Sequence, residues 1–371
     1  MRAAPPLDDH DPEDSRAHVY SGRRSAHKAA ALREAQQYRQ NMTLGPGVRS
    51  VVFVNAAPWW LATQTPVATP PHYQKRRRRA GRLFFVIEDQ PAKAYVVTLS
   101  CPDRPGIVHA VAGALLVAGC NITDSQQYGS QATGTFFMRV EATTAAQRSE
   151  VQAALEPVAE AFGMQWSLNP AGQKVRTLLM ASKSAHCLND LLFLQRSGTL
   201  PIEIPAIVSN HNDLAGLAEF YGIPFHYIPV TPETKDEAED KLRQIIAEER
   251  IELTVLARYM QIISDELCEE LTGKAINIHH SFLPSFKGAR PYHQAHARGV
   301  KLIGATAHYV TATLDEGPII EQEVIRVDHA RTPEQFVQMG RDVEGRTLAQ
   351  AVQWHAEHRV LLDGNRTVVF N

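Results

Sequence analysis

Cysteine is scarce in this chain, a nucleotide-binding glycine loop is missing, and no apolar run is long, and each shortage removes a class of protein. The four cysteines among 371 residues (Cys101, Cys120, Cys187, Cys268) lie far apart and form no CxxC pair. That argues against a disulfide framework or a thiolate zinc site and fits a reducing compartment. No apolar stretch reaches the length of a bilayer span, so no membrane partner is expected and the chain reads as cytoplasmic. A basic excess is missing too: the formal net charge is −2, which argues against nucleic acid as a partner. The first strand of the C-terminal half is followed by "SKSAHCLND" rather than GxGxxG, and there is no P-loop. HExxH and GxSxG are also absent, which removes the common zinc-protease and serine-hydrolase arrangements.

What remains has a globular composition, 44% hydrophobic and 21% charged, and enough length for two domains. Residues 1–90 are read as disordered, or as an extension foreign to the functional protein, because they are polar, broken by proline and without core-forming period. A short helix is predicted at Ser25–Gln40, and the basic run Lys75–Arg79 is read as a solvated linker. From residue 94 to 168 the pattern changes. "AYVVTLSC" predicts a strand, "PDRPG" a turn, and "IVHAVAGALLVAGC" a helix stopped at Gly119. Two strands, "NITDSQQYG" and "GTFFMRVEAT", a second helix and the strand "MQWSLN" complete βαββαβ, the ferredoxin-like order.

The strand–"DRPGI"–helix opening and the "GCNITD" entry into the second strand resemble the ACT domain family. The resemblance implies a regulatory module that binds amino acids near that turn, where a glycine before a helix leaves backbone N–H groups facing a carboxylate. Asp103, Arg104, Gly106 and Asn121 are the effector-site candidates.

Residues 174–371 alternate strand and helix, as in "VRTLLMAS", "IEIPAIVS", "PFHYIPV", "ELTVLAR" and "AINIHHS". That alternation predicts a Rossmann-like open, mainly parallel sheet with helices on both faces and ligands at the strands' carboxyl ends, so the fold class is α/β throughout. "NIHHSFLP" sits at such an end. His279, His280, His293, His296 and His308 offer imidazoles for a metal, but no carboxylate stands beside them at zinc-motif spacing, so no metal is expected. Cys187 and Cys268 fall inside helical stretches and read as packed rather than nucleophilic. Asn277 and His279 are two apart and project to one side of an extended strand. With His308 and Asp315 downstream they form a set that polarises a carbonyl, holds an oxyanion and delivers a proton.

"NIHHSFLPSFKGARPY", "HYVTATLDEGPII" and "ARYMQIIS" together resemble the folate-dependent formyltransferase fold, and within it the formyltetrahydrofolate deformylases. Four features carry the second step. His280 stands where transferases have proline, a glycine-rich phosphate loop is missing after the first strand, and an ACT-like segment precedes the catalytic half. After Asp315 only about one helix and a short tail remain, without the extra C-terminal domain of methionyl-tRNA formyltransferases. The resemblance implies hydrolysis of 10-formyltetrahydrofolate to formate and tetrahydrofolate, with formate feeding purine synthesis. It assigns Asn277, His279 and Asp315 to catalysis, His280 and His308 to support, and Arg258, Met260, Gln261, Ile263 and Thr311 to folate binding. It further implies glycine and methionine as effectors, a homo-oligomer, and no cofactor beyond the folate substrate. Two alternatives stay open from the residues alone: a formyltransferase passing the formyl group to an amine, and a non-catalytic folate or amino-acid sensor.

Overall fold

The structure, a computed structural model, describes residues 92–283 and 291–371. The readings made for residues 1–90 and for the 284–290 part of the histidine loop lie outside these residues.

The first half has strands β1 (Lys93–Pro102), β2 (Asn121–Ser130), β3 (Thr135–Thr144) and β4 (Gln165–Pro170), with helices α1 (Ile107–Val117) and α2 (Arg148–Phe162). The sheet order is β2-β3-β1-β4, and every recorded pairing is antiparallel. Alternation turns Tyr95, Val97, Leu99 and Cys101 of β1 inward. Ile107, Val111, Ala114 and Leu115 of α1 meet them at helical spacing, and Val151 and Leu155 of α2 close the same core. Gly106 caps α1 with φ 98°, a left-handed conformation that suits glycine.

The second half holds strands β5 (Val175–Ala181), β6 (Ile202–Glu203), β7 (Ile207–Ser209), β8 (Phe225–Tyr227), β9 (Leu253–Leu256), β10 (Ala275–His279), β11 (Leu302–Tyr309) and β12 (Ile319–Arg326). Its helices are α3 (His186–Arg196), α4 (Ala215–Tyr221), α5 (Lys235–Glu248), α6 (Asp265–Glu270), α7 (Pro291–Ala297) and α8 (Pro333–Ala356). The sheet order is β12-β11-β10-β9-β5-β7-β8; the pairs from β10 to β8 are parallel, while β11 and β12 are antiparallel. Alternate residues of β5 feed the two cores. Leu179 and Ala181 pack with α3 and α8, and Leu178 and Met180 pack with α5 and α6. On β10, Ile276 and Ile278 take the α8 side, which leaves Asn277 and His279 together on the opposite one. The chain runs outward from β5 through β7 to β8, then returns to place β9 on the other flank of β5. In open sheets of this kind such a reversal marks the ligand site, here at the carboxyl ends of β5 and β9.

Two expectations need correction. "IEIPAIVS" is not one strand: Pro205 has no N–H to give the ladder, and β6 and β7 lie on either side of it. The tail after α8 is a hairpin of β13 (Val360–Asp363) and β14 (Arg366–Val369), turned on the two-residue loop Gly364-Asn365, with Asp363 paired to Arg366. The hairpin joins the two halves, for Asp363 accepts hydrogen bonds from Ser130 Oγ (2.7 Å) and Thr133 Oγ1 (2.6 Å). Arg139, 1% exposed on β3, donates to the carbonyls of Glu357 and His358 just beyond α8.

Candidate active site

Strand register builds the centre of the site. Asn277 lies opposite His308 in the β10–β11 ladder, which places its Nδ2 3.3 Å from His308 Nε2. A bulge between Ala307 and His308 re-aims the histidine. His308 Nδ1 is 2.8 Å from its neighbour's carbonyl, Tyr309 O, so Nδ1 carries the proton in the neutral ring and Nε2 accepts from Asn277. The Asn277 amide keeps a second N–H.

Asp315 completes the constellation from the loop between β11 and β12. Its Oδ1 is 3.1 Å from His279 Nδ1 and 3.8 Å from His308 Nε2. Burial alone would raise its pKa, but the hydrogen bond from His279 and the neighbouring His308 ring outweigh it and hold the carboxyl well below the usual range. Asp315 has φ 58°, a conformation that costs a non-glycine residue about 1–3 kcal/mol. Gly317 secures the loop by close approach: a Cβ there would fall 1.7 Å from Tyr309 O. His279 is 6% exposed, and among the described residues its Nε2 has no hydrogen-bond partner. Nδ1 is therefore committed to the carboxylate and Nε2 is left for a ligand.

His280 stacks on His279, with ring centroids 5.2 Å apart, and tilts against Tyr292 at 6.4 Å. Burial, reinforced by the Arg258 charge, lowers its pKa to about 4, so the ring is neutral near pH 7. Cys187 and Cys268 are buried in α3 and α6, as the sequence predicts.

The segment 257–264 runs without regular structure past the end of β9, and backbone bonds pin it. Ala257 N donates to Met180 O (2.8 Å), Met260 N to Ser182 Oγ (2.9 Å) and Ser264 N to Glu239 Oε1 (2.7 Å). Met260 is 59% exposed, Gln261 half-buried and Ile263 buried. Arg258, at φ 66°, turns its guanidinium inward, and Nε lies 3.4 Å from Glu344 Oε2. Thr311 donates to Thr313 O within its own loop. In the first half, Asp103, Arg104 and Gly106 lie exposed on the β1–α1 turn and Asn121 is exposed at the start of β2. The Arg104 guanidinium sits 4.3 Å above the Phe162 ring and bonds Ala161 O.

Sequence reasoning missed Glu344 and its neighbours. Glu344 is 1% exposed on α8 and accepts from Tyr292 OH (2.7 Å), with His186 Nε2 2.8 Å away. Its signal was a carboxylate in a stripe of every fourth residue, Phe336, Gly340, Leu348 and Val352, all of them buried. His186, Cys187 and Glu344 also bring their ligand atoms within 4.8 Å of one another. The Arg258 guanidinium already supplies the positive charge there, so we read this cluster as an ion-pair network. Of the helical histidine pair, His296 Nε2 is 3.0 Å from Arg331 O and its ring meets Phe336 edge-on.

Comparison with known proteins gives the family of the two halves. Residues 175–352 match the Formyl transferase family and residues 93–169 the ACT domain family. A formyltetrahydrofolate deformylase of Corynebacterium sp. (strain P-1) is 53% identical over 282 residues, covering 74% of this chain and 97% of that protein. The Bacillus subtilis (strain 168) formyltetrahydrofolate deformylase is 46% identical over 277 residues, covering 74% of this chain and 92% of that protein. The crystal structure of a formyltetrahydrofolate deformylase from Burkholderia mallei superposes with a TM-score of 0.73 at 49% identity, over 75% of this chain and 100% of that one. An ACT fold followed by a formyltransferase fold, with relatives that it covers almost end to end, places the chain in the formyltetrahydrofolate deformylase family.

Proposed function

We propose that the chain hydrolyses 10-formyltetrahydrofolate to formate and tetrahydrofolate, with Asn277, His279 and Asp315 carrying the reaction. Family membership supports the activity. The observation that carries the site is the division of His279, with Nδ1 3.1 Å from Asp315 and Nε2 buried and unpartnered. Water attacks the formyl carbon and its oxygen forms the new C–O bond, while the carbonyl electron pair moves to the oxygen. The second Asn277 N–H and the His279 Nε2–H stabilise that oxyanion. The attacking water passes one proton through His280 to solvent. The C–N10 bond then breaks as the oxyanion restores the carbonyl, its electron pair goes to N10, and His279 Nε2 delivers the proton that makes tetrahydrofolate. The proton of the formic acid returns to His279 as formate leaves. An imidazole that donates from both nitrogens carries positive charge, and the Asp315 carboxylate balances it. His280, neutral and stacked on His279, accepts a hydrogen bond from the attacking water and takes room an amine would need.

Water and the folate balance the equation, so the reaction calls for no further cofactor. The pinned backbone of 257–264 and the loop 311–315 border the pterin, with Arg258, Met260, Gln261, Ile263 and Thr311 around it. The turn holding Asp103, Arg104 and Gly106, with Asn121, receives an amino-acid effector, glycine and methionine being the expected pair. The enzyme works as a cytoplasmic homo-oligomer; exposed Leu116 and Val117 on α1 favour self-association, and no described helix is long and apolar enough to cross a membrane. The transferase and sensor alternatives are not favoured by the family evidence. Formate release by the purified protein without any added amine tests the reading. Turnover supports it, while tetrahydrofolate appearing only when amines are supplied would make the protein a transferase.

A further inference from the structure

One side chain from α8 meets residues that follow three different strands, β5, β9 and β10. Glu344 receives His186 from the β5 loop side, Arg258 from the segment after β9, and Tyr292 from the residues after β10. The helix is shaped for this meeting. Gly340 and Gly345 flank Glu344, and a Cβ at either would fall 2.1 Å from the Tyr292 ring or 2.0 Å from the Asp190 carboxylate. Glycine inside a helix costs about 1 kcal/mol relative to alanine, so α8 gives up helix propensity where Tyr292 must lie across it. Arg258 likewise adopts a left-handed backbone, φ 66°, with its side chain turned onto the carboxylate. Burial would neutralise Glu344, but His186, Arg258 and Tyr292 outweigh it and keep the carboxyl ionised.

We propose that Glu344 is a positioning residue for the hydrolytic reaction: its buried carboxylate sets Tyr292 and Arg258 around His280 and so places the imidazole that faces the attacking water. The inference rests on the role given to His280 above. Glu344 touches no reacting atom. The folate-bordering backbone is pinned separately by Met180, Ser182 and Glu239, so loss of Glu344 frees the Arg258 side chain without unpinning that backbone, and its main effect falls on the chemical step. The charged groups acting on His280 are Arg258, Glu344, His279 and Asp315; Asp315 holds His279, and Glu344 holds Arg258 together with the adjoining Tyr292.

The test is steady-state formate release by full-length wild type, Glu344→Gln, His280→Ala and the double variant. Glu344→Gln keeps the shape and removes the charge. It is expected to lower kcat about 10- to 100-fold with KM within about threefold, and to add less than about twofold in the His280→Ala background. Wild-type kcat in Glu344→Gln, a loss confined to KM, or independent, multiplying losses in the double variant would overturn the proposal. Tyr292→Phe, which removes only the hydroxyl donated to Glu344, should reproduce a smaller kcat-only loss, and it decides the matter if Glu344→Gln fails to fold. Absence of formate from wild type would refute the deformylase reading instead. Tetrahydrofolate affinity of the same variants then decides: an unchanged Kd agrees with independent pinning of the folate segment, and a tenfold weaker Kd in Glu344→Gln overturns it.

Discussion

Asp315→Asn isolates the contribution of one charge. The amide keeps the shape of the carboxylate and an oxygen that accepts from His279 Nδ1, so the geometry at 3.1 Å survives and the negative charge is lost. At that separation, with an effective dielectric constant of about 20, Coulomb's law gives roughly 5 kcal/mol for the ion pair. The Asp315 side chain is 14% exposed and the amide dipole persists, so the expected cost falls to about 3–4 kcal/mol. That corresponds to about 10²–10³-fold in kcat. The Asp315 side chain acts on His279, while its loop meets the pterin through backbone that the isosteric change leaves in place, so KM should change by less than about threefold. The assay is formate release from 10-formyltetrahydrofolate at pH 7, with KM and kcat measured separately. A kcat within threefold of wild type would refute the assignment of Asp315 as the counter-charge, as would a loss carried by KM alone.

Other consequences follow from the same geometry. Asn277→Ala removes an oxyanion donor and should cost about a hundredfold or more in kcat; a smaller change under the same assay would move the oxyanion elsewhere. Gly317→Ala drives a Cβ to 1.7 Å from Tyr309 O, so the Asp315 loop must shift. Overpacking of that kind costs about 1–3 kcal/mol, read as a drop of a few degrees in thermal midpoint together with reduced kcat. A wild-type midpoint with full activity would show that the loop yields freely. His355, buried where its Nδ1 accepts from Tyr309 OH at 2.7 Å, has its pKa lowered by burial to about 4. The folded value lies below the unfolded one, near 6.5, so the stabilising contribution is complete above about pH 6.5 and is lost as pH falls toward 4. By pH 5 the loss amounts to about 2 kcal/mol. Denaturant titrations at pH 7 and pH 5 measure it, and His355→Gln should flatten that part of the difference; an unchanged slope would place the effect elsewhere.

Much of this protein is written in local patterns. Tyr95, Val97, Leu99 and Cys101 alternate, and Ile107, Val111, Ala114 and Leu115 recur at helical spacing, so β1 and α1 follow from the order of residues alone. Asn277 and His279 share a face because strand side chains repeat every two residues, and the motif around them was enough to select the family. The hairpin at Gly364-Asn365 was equally local but was read as a tail, and Pro205 was read through rather than as a break. Which residues meet from distant parts of the chain was a different matter. The approach of Asp315 to His279 depends on the β10–β11 register, on the bulge before His308 and on the closeness that Gly317 permits. Glu344 looked like an ordinary helical glutamate until folding carried His186, Arg258 and Tyr292 to it from the stretches that follow three different strands. Periodicity reports which face a residue occupies. Only the packing of sheet against helix decides what waits on the other side, and there a buried charge must find its partners or be neutralised.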